Sequence, residues 1–379
     1  MDDINAEIYR NALIPRRGLG ALGKRLHAEL CTIAYLGNSI TAQKDSYRLL
    51  LHNNLVSHFR KIHKPVNAGI GGVGSLACAF LLDELVIRHQ PALCFVECSA
   101  ADSGGTTPSD AIGPAVEGII RQLIAAGTGI IFLHMYRRSD MAIEKEKVLA
   151  IYETLADHYG IPSINLDLVI SKQISSGNVH ENEVFHDGIH TTFTGSVMMG
   201  QIIGSLVVNL AEQPTDFEPG FSGQLYELPY QHTMVMPVCE KMKEFDSVLV
   251  KKRYRDILEY VELRLEEKLT VCAVDFHIRA ILIVADADSG VVFVENEGII
   301  QRIQTWDEWC FIPRLQAIIF DKPVHSGSTF RVWLSDSDQG EKGASGAKNH
   351  HIRVGKNLKI IGFMAYSEIP VMKIKLFGG

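Results

Sequence analysis

Residues 31–41 read CTIAYLGNSIT. The run from Cys31 to Leu36 lacks polar alternation, as a strand covered on both faces does. It stops at Gly37-Asn38-Ser39, and helix-like spacing follows. A serine on that corner has two uses. Its hydroxyl can cap the helix behind it by accepting from a backbone N–H of the first turn. It can also serve as a nucleophile, because open α/β sheets bind ligands at the carboxyl ends of their strands, where helix N-termini aim their positive dipole ends.

The same texture repeats outward. Short apolar runs, TIAYLG (32–37), ALCFVE (92–97), GIIFLHM (129–135) and PSIN (162–165), alternate with SYRLLLHNNLVSHFRKI, SLACAFLLDELVIRH, SDAIGPAVEGIIRQLIAAG and SDMAIEKEKVLAIYETLADHYG. Apolar positions in the longer segments recur at three and four residues, and a last helix spans about 194–210. Strand–helix alternation predicts a parallel sheet with helices on both faces. From Leu269 the chain turns to short strands: LTVCAVDF, AILIVAD, GVVFVEN, WCFIPR, QAIIFD, TFRVWLS and LKIIGFMAYS. Turn residues separate them, which predicts an antiparallel β-sandwich. The expected organisation is an N-terminal extension over 1–27, an α/β domain over 28–212, a linker over 213–245 and a β-sandwich domain over 246–379. The basic stretch KKRYRDILEYVELRLEEK reads as a solvated helix face, and SDSDQGEKGASGAKN (335–349) with His350-His351 as loop.

Composition narrows the classes. The 379 residues are 46% hydrophobic and 21% charged, which is ordinary for a globular chain, and the net charge of −7 argues against nucleic acid as a partner. The N-terminal residues hold no secretory apolar core, and MMGQIIGSLVVNL is shorter than the ~18 residues a membrane span needs. The seven cysteines are odd in number and mostly sit in apolar runs, which predicts reduced thiols and a cytoplasmic location. Cys94 and Cys98 lack a second ligand pair at zinc spacing, so neither a metal nor an organic cofactor is expected.

Two further stretches carry chemistry. In FHDGIHTTFTG (185–195), Asp187 and His190 are three residues apart with Gly188 between them. A histidine that takes the serine proton and is itself oriented by a carboxylate makes a weak hydroxyl reactive. Ser39 would attack, His190 would act as base and then acid, and Asp187 would fix the imidazole tautomer. A loop carboxylate and a surface histidine are the alternative, and the adjacent His186 reads as a bystander. NAGIGGVGS (67–75) matches G-x-G-x-x-G through Gly69, Gly71 and Gly74, with Glu97 placed where a dinucleotide-binding acid would be. The preceding PVNA is short and polar for a first Rossmann strand. The competing use of these glycines is close backbone approach, with an N–H aimed at a developing oxyanion.

In their order and spacing, GNSIT, NAGIGG, PALCFVECSAAD and DGIHTTFTG resemble the blocks of the SGNH hydrolase family, also called GDSL-type esterases, over about residues 30–210. The resemblance implies a flavodoxin-like three-layer α/β/α domain. It implies Ser39 as nucleophile with its own N–H in the oxyanion hole, Gly72 as the second N–H, and Asp187 and His190 completing the triad. The sequence departs from the family at two places: Asn38 replaces the usual aspartate, and Ala101 stands where an asparagine normally donates to the oxyanion. Ser99, Ser103 and Thr106 are the nearby hydroxyls that could replace that donor. The C-terminal part resembles sandwich modules attached to carbohydrate-directed esterases, with Trp306 and Trp309 as core or sugar-facing residues. The implied activity is removal of O-acyl groups, O-acetyl foremost, from a carbohydrate or another small ester. The alternatives are a carbohydrate O-acyltransferase and a non-catalytic glycan-binding protein. The oligomeric state is open.

Overall fold

The computed structural model describes residues 11–213, 223–254, 258–306, 310, 312–334, 341–345, 350–353 and 355–368. The chain forms two compact units, residues 1–231 and 232–379. The first contains, in order, β1 (Leu13–Ile14), α1 (Ala21–Ala28), β2 (Cys31–Gly37), α2 (Ser39–Ala42), α3 (Tyr47–Phe59), β3 (Ile62–Gly69), α4 (Ser75–Leu85) and β4 (Leu93–Glu97). There follow α5 (Ser99–Asp102), α6 (Ser109–Ala125), β5 (Gly129–His134), α7 (Lys145–Tyr159), β6 (Ser163–Asn165), α8 (Leu166–Ser175), α9 (Glu181–Val184) and α10 (Phe193–Glu212).

The sheet order is β1-β6-β5-β4-β2-β3. Strands β2 to β6 run parallel, and β1 pairs antiparallel at the edge. The parallel strands thus follow the flavodoxin-like order, and the strand sequence reverses between β2 and β4, where such sheets bind ligands. One face is packed by α1, α3, α8 and α10 through Leu26, Leu51, Ile170 and Ile203 against Tyr35, Phe95 and Leu133. Helix α10 is long and apolar enough to cross a membrane. Met199, Ile203, Val207 and Leu210 of this helix are buried in that core.

Strand β3 lay hidden in sequence, because Lys64, Pro65 and Asn67 make it read as polar. It occupies the sheet edge and pairs only with β2 among the described residues, so proline costs it no second ladder. The segment read as an N-terminal extension supplies β1 and α1. Arg16 ties it down, bonding Asp157 at 2.6 Å and the carbonyl of Ile161 at 3.0 Å. The unit boundary falls inside the segment read as linker. Residues 223–231 stay with the first unit, because the fully buried Glu117 carboxylate accepts from the N–H groups of Leu225 at 2.6 Å and Tyr226 at 2.8 Å.

The second unit is built from β7 (Thr233–Pro237), β8 (Lys251–Tyr254), β9 (Leu258–Arg264), β10 (Lys268–Cys272), β11 (His277–Ala285), β12 (Val291–Asn296) and β13 (Ile299–Gln304). It continues with β14 (Arg314–Val324), β15 (Thr329–Leu334), β16 (Glu341–Ser345), β17 (His350–Arg353) and β18 (Asn357–Tyr366). Two antiparallel sheets, β10-β15-β12-β13 and β14-β11-β18-β9-β8 with β7 beside β18, share a core of Val271, Val294 and Val332 with Val261, Ile281 and Phe363. The expected helix over 251–268 is instead the β8–β9 pair. In β9, Leu258, Val261 and Leu263 are buried while Glu259 and Arg264 are exposed, and Val261 and Leu263 enter the core shared by the two sheets. Part of the expected 335–349 loop is the β16–β17 ladder, which includes His350 and His351. Trp306 packs against the sandwich core, and Trp309 lies outside the described residues.

Candidate active site

Ser39 is the first residue of α2, at the carboxyl end of β2 and at the switch point of the sheet. It does not cap the helix. Asn38 does, with Oδ1 accepting from the N–H of Ile40 at 3.0 Å. The serine hydroxyl is left to meet His190, whose Nε2 lies 2.8 Å from Ser39 Oγ. On the other side of the ring, Nδ1 is 2.7 Å from Asp187 Oδ2. With Nδ1–H donating to the carboxylate, Nε2 accepts from the serine hydroxyl.

The loop holding this pair is built by local bonds. Asp187 Oδ1 accepts from the N–H groups of His190 at 2.8 Å and Ile189 at 3.2 Å. Gly188 takes φ 82°, which lets the loop turn back within one residue. His186 donates its N–H to the carbonyl of His190 at 2.8 Å, while its side chain is exposed. Burial pushes the Asp187 carboxyl up, but the bonds from His190 and Ile189 outweigh it and hold the group below the ordinary range. The His190 and Asp187 side chains are 31% and 41% exposed, so a substrate can reach the relay.

The glycine segment folds over the same corner. Ile70 donates its N–H to the carbonyl of Gly37 at 2.9 Å, and a Cβ on Gly71 would lie 3.7 Å from Ser39 Cβ. Gly72 follows with φ 84°, a conformation that favours glycine. Asp102 secures the far end of this segment. Its buried carboxyl accepts from the N–H of Ser75 at 2.9 Å and the hydroxyl of Tyr152 at 2.8 Å, and a Cβ on Gly74 would collide with it. Sequence reading overlooked Asp102; an acid following an apolar strand and a run of small residues was the available signal.

Glu97 has no access to a ribose. It lies beside Gly37 in the β2–β4 register and is fully buried. Its carboxyl accepts from Asn38 Nδ2 at 2.9 Å and Thr41 Oγ1 at 2.9 Å. Burial pushes its pKa up to about 8, against the pull of the Thr41 and Asn38 bonds. Gly69 moreover ends the edge strand β3, and Gly71 and Gly74 follow it, whereas the fingerprint belongs after the first parallel strand. The dinucleotide reading therefore fails on both of its parts.

Ala101 is buried in α5. Of the three hydroxyls near it, Ser99 Oγ meets His134 Nδ1 at 3.0 Å, and Ser103 Oγ donates to the carbonyl of Ser99 at 2.7 Å. Thr106 is exposed and packs against Gly74. A cation also borders the site: Arg137 donates Nη1 to the carbonyl of Ala100 at 3.0 Å, and the Asp187 charge is felt at its guanidinium. Among the described residues no three His, Cys, Asp or Glu side chains cluster as metal ligands.

The chain joins a flavodoxin-like α/β unit to an antiparallel β-sandwich unit. The chain superposes on the crystal structure of a two-domain esterase active on acetylated mannans with a TM-score of 0.77 at 16% identity, covering 96% of this chain and 99% of that one. The same kind of esterase co-crystallised with mannopentaose gives a TM-score of 0.72 at 15% identity, again over 96% and 99% of the two chains. No protein-family model and no curated protein sequence matches the chain.

Proposed function

We propose that the chain is a serine esterase that removes O-acetyl groups from a carbohydrate through an acyl-Ser39 intermediate. The observation that carries this reading is the pair of hydrogen bonds linking Ser39 Oγ, His190 and Asp187, at 2.8 and 2.7 Å. The fold likeness to an esterase active on acetylated mannans supports the substrate class.

In the first step Ser39 Oγ bonds to the ester carbonyl carbon while its proton passes to His190 Nε2. Asp187 keeps the imidazolium oriented and compensates its charge. The N–H groups of Ser39 and Gly72 receive the oxyanion. Collapse breaks the bond to the sugar oxygen, which leaves with the proton from His190. Water then attacks the acyl-serine, giving its proton to His190; acetate departs and the proton returns to Ser39. A sugar hydroxyl in place of that water would make the same relay a transferase.

Acetate release from an acetylated mannan, with and without a free acceptor sugar, tests the proposal. The wild-type protein should release acetate, and Ser39→Ala and His190→Ala should not. Equal release by Ser39→Ala would refute the mechanism. Acetyl transfer to the acceptor without net acetate release would replace hydrolysis by transfer.

A further inference from the structure

The motif GNSIT is organised around a residue nearly sixty positions away. A Cβ on Gly37 would lie 2.7 Å from both the carbonyl oxygen and Oε2 of Glu97, so only glycine fits there. Asn38 donates Nδ2 to Glu97 Oε1 at 2.9 Å and its N–H to Oε2 at 3.4 Å. Thr41 donates its hydroxyl to Oε2 at 2.9 Å and meets the Tyr47 hydroxyl at 2.9 Å. Three of the five motif residues are therefore shaped by one buried carboxyl group, and Ser39 sits between them.

We propose that Glu97 is the positioning residue of the nucleophile turn, and that it acts by accepting from Asn38 and Thr41 on either side of Ser39. The proposal rests on the esterase reading. It also gives Asn38 a reason: the amide caps α2 with its oxygen and donates to Glu97 with its nitrogen, and an aspartate can do only the first without taking up a proton. The titratable groups around Glu97 are Tyr47 on α3, and Cys98 and Asp102 beyond β4; Arg48 faces Tyr47. No ion pair reaches Glu97 among the described residues, so in an Asn38→Asp protein one proton must bridge the two carboxyl groups.

The test is the rate at which a fluorophosphonate labels Ser39, measured with melting temperature in wild type, Glu97→Gln, Asn38→Asp and the double variant. Above about pH 8, where Glu97 is a carboxylate that only accepts, Glu97→Gln sets an amide NH2 against the Asn38 donors and should label at least about tenfold more slowly, the size a coupled pair commonly carries. Asn38→Asp should match wild type at low pH and fall away from it as pH rises. The double variant exchanges donor and acceptor, and should recover to within about threefold of wild type with no such fall. A structural role alone would lower melting temperature without this reciprocal recovery. Wild-type labelling at Ser39 with unchanged rates in both single variants, or a folded double variant as slow as the worse single one, would overturn the positioning role and leave the esterase reading intact. Failure of wild type to label would overturn the esterase reading itself and this role with it.

Discussion

Removing the proton on Glu97 should change how stability varies with pH. The group is fully buried, and burial moves its midpoint from 4.5 to about 8. The unfolded chain releases this proton near the ordinary glutamate value, while the folded chain holds it to about pH 8. Between those limits the folded state binds more protons, so stability is fully present below the window and is lost as pH rises through it. The displacement corresponds to roughly 3–5 kcal/mol across the window. Glu97→Gln has nothing to titrate and should lack this slope, whatever it loses at every pH from its misplaced amide. The assay is urea unfolding from about pH 5 to about pH 8, followed by helical far-ultraviolet ellipticity. That signal reports the first unit, because the described α-helices all lie there, whereas Trp306, Trp309 and Trp333 belong to the second. Wild type should converge on or fall below the variant as pH rises. Curves that stay parallel would mean that Glu97 gives up its proton at the same pH in the folded and unfolded chains.

Asp187→Asn keeps the shape of the loop but removes the acceptor of the His190 Nδ1 proton, and should lower kcat on the order of 10²–10⁴-fold with KM little changed; steady-state kinetics on acetylated mannan check this. Tyr152→Phe deletes the hydroxyl 2.8 Å from buried Asp102 and should cost about 1–3 kcal/mol of stability, read from the urea midpoint at constant slope. Gly72→Ala forces a side chain onto φ 84° and should strain the turn by about 1–3 kcal/mol, read as lower kcat and a lower melting temperature.

The core strands and the five long helices were legible because their periods are unambiguous. Phe95 and Val96 admit only a strand buried on both sides, and the three-and-four spacing of α10 only a helix. Strand β3 and the β8–β9 pair were not legible. An edge strand tolerates Lys64 and Pro65, and the apolar residues of 258–263 fit both periods until a sheet neighbour selects one. At the site, Ser39, Asp187 and His190 could be named because their chemistry is complementary and their local spacing short. Glu97 and Asp102 were misread or overlooked because their roles depend on contacts between distant elements: Glu97 next to Gly37 through the β2–β4 register, and Asp102 of α5 bonded to the N–H of Ser75 at the start of α4. Whether a hydroxyl replaces the asparagine absent at Ala101 also depends on side-chain direction, which sequence does not give. Ser99 and Ser103 turn to His134 and to backbone.

The proposed chemistry depends on His190 making the hydroxyl of Ser39 a nucleophile. Fluorophosphonate labelling followed by peptide mass mapping tests it directly. One adduct is expected, on the peptide carrying Ser39, absent in Ser39→Ala and slowed at least about a hundredfold in His190→Ala. An adduct on another residue, or His190→Ala labelling as fast as wild type, would contradict it.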